Sequence, residues 1–129
     1  MKDLADQFAQ VKSAYPGASL VAAPDQSYLV LIPGFPLPAG WSHETINLRF
    51  VVPTGYPYAV PDCFWTDADL RLSTGVMPQN AQFGQVNLAQ TDASLLWFSW
   101  HITPNAWNPT KSDLMTYVQV IKRRFEALQ

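Results

Sequence analysis

The chain has 129 residues, a formal net charge of -2, and 14% charged residues against 48% hydrophobic ones. This length and composition exclude a disordered chain and predict one domain over residues 1–129 that buries its own core. The near-balanced charge argues against nucleic acid or an anionic membrane as the main partner.

Cysteine content and the N-terminal sequence predict a cytoplasmic protein. Cys63 is the single cysteine, so no internal disulfide forms and a reducing compartment is the default. With His43 and His101 as the two histidines, too few ligands remain for a cysteine-based zinc cluster. We therefore expect neither a metal nor a cofactor. The first ten residues contain no apolar run, so they do not resemble a signal peptide.

The first half of the chain predicts a helix followed by an antiparallel sheet. Residues 3–14 place Leu4, Phe8 and Val11 on one helical stripe. Residues 44–52 alternate between apolar and mostly polar positions, as a half-buried antiparallel strand does. Further apolar or β-branched segments bounded by proline and glycine complete a predicted four-stranded meander. The four predicted strands are 18–23, 27–35, 44–52 and 63–66.

The second half predicts an irregular segment and then a C-terminal helix. Residues 67–110 show no strong periodicity apart from one apolar run at 94–102, and structureless segments of this length are usually functional. Residues 111–128 carry an apolar stripe at helical spacing, with Ser112 or Thr110 as the expected N-cap. The fold class is therefore α+β.

Three motifs in a fixed order carry a resemblance that spans nearly the whole chain. Tyr56-Pro57 is followed by Pro61 and Phe64, then comes a Met-Pro-Gln segment, and a Trp-Asn-Pro sequence precedes the last helix. This order resembles the ubiquitin-conjugating enzymes. The resemblance implies their fold: an N-terminal helix, a four-stranded antiparallel meander, an irregular active-site segment and a C-terminal helix.

The site motif departs from that family at the positions that carry its chemistry. Met77 and Gln79 stand where the family has the His and Asn of its HPN motif, although Pro78 is kept. Asn87 stands at the position of the catalytic cysteine. An amide nitrogen is not a nucleophile, because its lone pair is delocalised. A thioester relay through this position is therefore excluded.

A second motif resembles a bacterial branch of the superfamily. Phe98-Ser99-Trp100-His101, followed by Trp107-Asn108-Pro109, is similar to the Ser-x-His and W-x-P pattern of that branch. Its members are encoded beside ubiquitin-like proteins, an activating-enzyme homologue and a metallopeptidase. The resemblance implies a ubiquitin-like protein and a ubiquitin-activating-enzyme homologue as partners.

Ser99 and His101 are the candidate nucleophile and general base. Serine requires a base because its hydroxyl is barely ionised at neutral pH, and histidine has a suitable pKa for that task. The Cα atoms of residues two apart on a strand lie about 6.5–7 Å apart, so a direct hydrogen bond needs a bend, a bulge or a bridging water. The alternative is a small strand serine and a histidine that bonds a backbone carbonyl.

Five further side chains are candidates with a structural alternative beside each. Asn87 and Gln79 are candidates to hydrogen-bond a developing oxyanion or the substrate, or are loop amides that bond their own backbone. Trp107 and Pro109 are candidate binding residues that also shape the entry to the last helix. Cys63 follows Pro61-Asp62 in an apolar strand, which favours a buried structural thiol over a relocated nucleophile.

Two functions from different classes follow from these residues. The first is a ubiquitin-conjugating-like acyl carrier that holds a ubiquitin-like protein as an oxyester on Ser99. The second is a non-catalytic variant that binds or scaffolds a ubiquitin-like protein. A generic interaction module that keeps only the fold is a third alternative.

Overall fold

The computed structural model describes residues 3–83, 95–103 and 105–129. These residues form two helices, α1 (Leu4–Ala14) and α2 (Leu114–Glu126), and a sheet of six strands. The strands are β1 (Ser19–Ala22), β2 (Tyr28–Pro36), β3 (Thr45–Val52), β4 (Phe64–Asp67), β5 (Ala81–Phe83) and β6 (Leu95–Phe98). Across the described part of the chain, no helix has the length and apolar character needed to cross a membrane.

The sheet is antiparallel and runs in the order β1-β2-β3-β4-β6-β5. The first four strands form the predicted meander, but the predicted number of four strands is wrong. The additional strands, β5 and β6, come from the segment expected to be irregular, and β6 pairs with β4 on one side and β5 on the other. The α+β class with a helix at each end of the sequence is confirmed.

The main core lies between one face of the sheet and α2. The alternating apolar positions of β3 and the stripe of α2 are buried in the same cluster. On the opposite face, a smaller cluster of Leu29, Trp65 and Leu95 packs against Trp97. Both faces of β4 and β6 are therefore covered by apolar side chains.

The N-cap of each helix is an aspartate rather than a serine or threonine. Asp3 caps α1 by accepting a hydrogen bond from the Asp6 N–H at 2.9 Å. Asp113 and Thr116 form a capping box at the start of α2, so the predicted cap at Ser112 or Thr110 is wrong. The Ser112 hydroxyl instead accepts from the backbone N–H of Asn108, within the turn that leads into α2.

Gln7 of α1 joins three parts of the fold. Its side-chain oxygen accepts hydrogen bonds from the Tyr56 hydroxyl at 2.6 Å and from the Leu114 N–H at 3.2 Å. Gln7 is 2% exposed, and buried polar groups require such partners. These bonds fix the Tyr56-Pro57 turn, which leads towards β4, against the start of α2.

Candidate active site at the ends of β4 and β6

Pairing of β4 with β6 brings two distant sequence segments together. Phe64 of β4 lies opposite Phe98 of β6. Just beyond this pair, the Cys63 N–H donates to the Trp100 carbonyl at 3.0 Å. The residues before β4 therefore lie beside the residues after β6, and Asp62 contacts His101.

His101 is held by a carboxylate. Its Nδ1 is hydrogen-bonded to Asp62 Oδ1, and both side chains are about 60% exposed (61% for His101 and 60% for Asp62). Because a carboxylate only accepts hydrogen bonds, Nδ1 carries a proton. In the neutral ring Nε2 is then left as an acceptor, which is the form a general base requires.

A groove of about 440 Å³ opens beside this pair. We call it the His101 groove. It is lined by aromatic, proline and aliphatic side chains with a few polar groups among them. The lining residues are Tyr58, Val60, Pro61, Asp62, His101, Ile102, Thr103, Asn105, Trp107 and Pro109.

Trp107 and Pro109, both candidate binding residues, form part of the groove wall. The indole N–H of Trp107 donates to the Pro57 carbonyl at 2.8 Å. Its ring packs against Tyr56 with the centroids 5.8 Å apart. The Trp-x-Pro and Tyr-Pro motifs therefore contact each other, and their contact fixes the wall that faces His101.

Ser99 lies beside Asn80, which directly follows the Met77-Pro78-Gln79 segment. It is half-buried, and its backbone N–H donates to the Asn80 carbonyl at 2.8 Å. Strand β6 ends at Phe98, so neither Ser99 nor His101 belongs to a strand. Among the described residues, no hydrogen bond joins the Ser99 hydroxyl to His101, and Ser99 does not line the groove.

Of the two candidate amide side chains, Gln79 lies within the described residues and can be placed. Gln79 is exposed and lies outside the lining of the His101 groove. Its carbonyl accepts from Arg124 Nη2 at 2.8 Å. Arg124 is 2% exposed and its guanidinium lies over the rings of Phe98 and Trp100, so it ties this segment to α2. Asn87 lies outside the described residues.

Cys63 is a buried thiol whose surroundings on balance favour its protonated form. It is 7% exposed, and burial followed by the charge of Asp62 raises the pKa of its thiol. Since the thiolate is the nucleophilic form, this environment disfavours nucleophilic chemistry on sulfur. Its sulfur, a carboxylate oxygen of Asp62 and a ring nitrogen of His101 all lie within 4.8 Å of one another.

A family model described as Prokaryotic E2 family E matches residues 17–128. The chain belongs to this family. No curated protein and no solved structure is significantly similar to the chain. Membership indicates a role related to ubiquitin conjugation, with ubiquitin-like proteins and E1-like enzymes as the general class of partner. The match includes the whole His101 groove and leaves out α1.

The other histidine of this E2-like chain has a different environment. His43 Nδ1 is 2.7 Å from the Ser42 hydroxyl, and its Nε2 is 3.1 Å from Asp69 Oδ1. Ser42 also accepts from the Arg71 N–H, which makes the set a link between the β2–β3 connection and the turn after β4. His43 is not part of the groove, so it serves as a matched control for His101.

Asp62 is a candidate functional residue that sequence reasoning missed. The Pro61-Asp62 pair has the composition of a turn, and its partner His101 lies 39 residues further along the chain. The Tyr-Pro motif contained a usable signal, because the chain that follows it places Asp62 two residues before β4. Only the pairing of β4 with β6 shows that the carboxylate and the imidazole meet.

Proposed function

We propose that this chain is a ubiquitin-conjugating-like acyl carrier. It accepts the C-terminal acyl group of a ubiquitin-like protein as an oxyester on Ser99, with His101 as general base. The observation that carries the proposal is the Asp62–His101 pair at the edge of the groove. A nucleophile is activated by an adjacent base, and that base is oriented by a third group.

The groove offers a place for an extended C-terminal tail. Trp107 and Tyr58 supply aromatic surface along it, and Tyr58 is 78% exposed. Exposed aromatic side chains are more often found at sites of protein recognition than elsewhere on a surface. A tail in this groove would bring its terminal carbonyl past the His101 imidazole.

The proposed step forms one bond and breaks one bond. Ser99 Oγ attacks the terminal carbonyl carbon of the tail, which arrives activated on the E1-like enzyme. A carbon–oxygen bond forms to Ser99, and the bond from the carbonyl carbon to the activating group breaks. The hydroxyl proton passes to His101 Nε2, while Asp62 keeps the imidazole oriented and stabilises its charged form.

Ser99 must approach His101 for this step. Catalytic hydrogen bonds are often long or unformed without substrate and tighten when it binds. Residues 99–103 follow the end of β6, where backbone hydrogen bonds hold Ser99 to Asn80 and Trp100 to Cys63, and residues 101–103 then line the groove. We assign the oxyanion contact to Asn87 and substrate contacts to Gln79, Trp107 and Pro109.

The test is an adduct assay with the E1-like enzyme, ATP and the ubiquitin-like protein of the same organism. The carrier gives a covalent adduct that resists thiols and is cleaved by hydroxylamine or alkali. Ser99→Ala abolishes the adduct, and Ser99→Cys restores an adduct that thiols now cleave. His101→Gln lowers the rate of adduct formation by about 100-fold or more, the usual contribution of a general base.

Two variants serve as controls. Cys63→Ala keeps the thiol-resistant adduct, and His43→Gln keeps its rate. A thiol-sensitive adduct of the unaltered chain, or one that Cys63→Ala removes, would refute the oxyester. A stable complex on a sizing column without any adduct would instead establish the non-catalytic binding function.

A further inference from the structure

Three different metal-binding atoms converge at the edge of the His101 groove. A thiol sulfur, an imidazole nitrogen and a carboxylate oxygen, from Cys63, His101 and Asp62, lie within 4.8 Å of one another. In the described part of the chain, this is the one group of three such side chains. Cysteine and histidine alone are too few ligands for a metal site in this chain, and Asp62 adds a carboxylate beside Cys63 and His101.

We propose that Asp62, Cys63 and His101 bind a zinc ion that keeps a fourth position open to the groove. Zinc takes sulfur, imidazole and carboxylate ligands, and three protein ligands with one free position are typical of its non-structural sites. One thiolate and one carboxylate would balance the two charges of the ion. A charge-neutral site avoids the cost of leaving a net charge in a partly buried position.

The surroundings of Cys63 favour a fixed ligand position. Its N–H donates to the Trp100 carbonyl at 3.0 Å, and its carbonyl accepts from the Tyr117 hydroxyl at 2.9 Å. Tyr117 is fully buried, so the sulfur is attached to a backbone held from both sides. Contacts of this kind around a metal ligand orient it and increase affinity.

The other two ligands supply the entry path. The side chains of Asp62 and His101 are more than half exposed, while Cys63 lies below them. An ion would enter from the groove, replace the proton shared between Asp62 and His101, and displace the thiol proton to solvent. Sulfur and imidazole ligands favour zinc or cobalt over magnesium or calcium.

This inference goes beyond the proposed acyl transfer. A zinc ion on Nδ1 separates His101 from Asp62, and the neutral ring then carries its proton on Nε2. The metal-bound chain and the form competent for general-base catalysis are therefore alternative states. The test of the metal site uses the purified chain alone, so its failure says nothing about the oxyester.

The experiment titrates the untagged full chain with Zn²⁺ against a chromophoric chelator, and with Co²⁺ in an absorption spectrometer. The expected result is one tight site for each chain, with a thiolate-to-cobalt charge-transfer band in the near ultraviolet. Cys63→Ala removes this band and lowers zinc affinity by at least about 100-fold. Asp62→Asn, a substitution at an exposed position, lowers zinc affinity and keeps the fold.

His43→Ala is the matched control, because it removes the other histidine–aspartate pair, which has no thiol beside it. This variant keeps both the affinity and the cobalt spectrum. The site is refuted if Cys63→Ala or Asp62→Asn binds Zn²⁺ as tightly as the unaltered chain. It is equally refuted if His43→Ala removes the binding, or if the cobalt complex has no sulfur band.

Discussion

Replacing Trp107 by phenylalanine isolates one hydrogen bond between the two motifs that build the groove wall. The substitution keeps an aromatic ring against Tyr56 and removes the indole N–H that donates to the Pro57 carbonyl at 2.8 Å. Replacing the same residue by alanine removes both interactions. The difference between the two variants separates hydrogen bonding from packing.

The expected magnitudes follow from burial. A neutral hydrogen bond contributes about 1 kcal/mol net, and the half-buried Pro57 carbonyl can be hydrated once it is freed. We expect Trp107→Phe to lower the free energy of unfolding by about 1–1.5 kcal/mol. Trp107→Ala should cost about 2–3 kcal/mol, below the roughly 3–5 kcal/mol of a fully buried tryptophan, because Trp107 is only half-buried.

Trp41 provides a matched comparison. Its indole N–H donates to the Phe125 carbonyl at the same distance of 2.8 Å, but inside the core. Trp41→Phe removes the short hydrogen bond to that carbonyl, leaves it only the longer bond from the Leu128 N–H at 3.5 Å, and removes volume from a packed region. It should therefore cost about 2–3 kcal/mol, clearly more than Trp107→Phe.

The assay is urea unfolding followed by far-ultraviolet circular dichroism, since fluorescence changes when a tryptophan is replaced. A shift of the midpoint at constant slope reports stability alone. In thermal unfolding, each kcal/mol corresponds to about 3–6 °C for a domain of this size. The reasoning is refuted if Trp107→Phe costs as much as Trp107→Ala, or if Trp41→Phe costs less than Trp107→Phe.

Three further predictions concern pH, glycine and a buried cation. Burial, and secondarily the charge of Asp113, raises the pKa of the Tyr56 hydroxyl. The stability that the protonated hydroxyl contributes is therefore present below its unfolded pKa of about 10 and is lost at higher pH. Above pH 10, the urea midpoint of Tyr56→Phe should fall less than that of the unaltered chain. In thermal unfolding, Gly40→Ala should destabilise the protein more than Gly34→Ala. Both glycines have positive φ, but only at Gly40 would a new Cβ come within 2.8 Å of another side chain, that of Leu128. Equal losses of stability would contradict this. In urea, Arg124→Lys should be less stable than Arg124→Met. A buried lysine keeps the positive charge but loses the stacking of the planar guanidinium on the rings of Phe98 and Trp100. The reverse order would show that charge matters more than shape.

Elements with one buried face could be predicted from the sequence. The alternation of Ile46, Leu48, Phe50 and Val52 places all four side chains in the core. The predicted helical stripe is buried from Leu114 to Phe125, but its last residue, Leu128, lies beyond α2 and is exposed. In each case one face packs in the core and the other is more exposed to solvent, so apolar residues recur with the period of the helix or strand.

Strand β6 could not be recognised because both of its faces are covered. Leu95 packs in the cluster on the outer face, whereas Leu96 and Phe98 pack in the main core, so the four residues show no alternation. Its pairing with β4 is non-local and leaves no local pattern. Because the sequence does not show that β6 pairs with β4, it could not predict the contact between Asp62 and His101 either.

The position of the candidate site explains how this fold can carry altered chemistry. The main core lies against α2, whereas Asp62 and His101 are exposed at the strand ends and contribute little to burial. Substitutions at exposed positions usually change stability by less than about 0.5 kcal/mol. Gln79, which is also exposed, can therefore change while the scaffold is kept, whereas Met77 is half-buried and packs against the main core. By the same argument His101→Gln and Asp62→Asn should fold normally, so a loss of adduct or of zinc in these variants would report chemistry at the site.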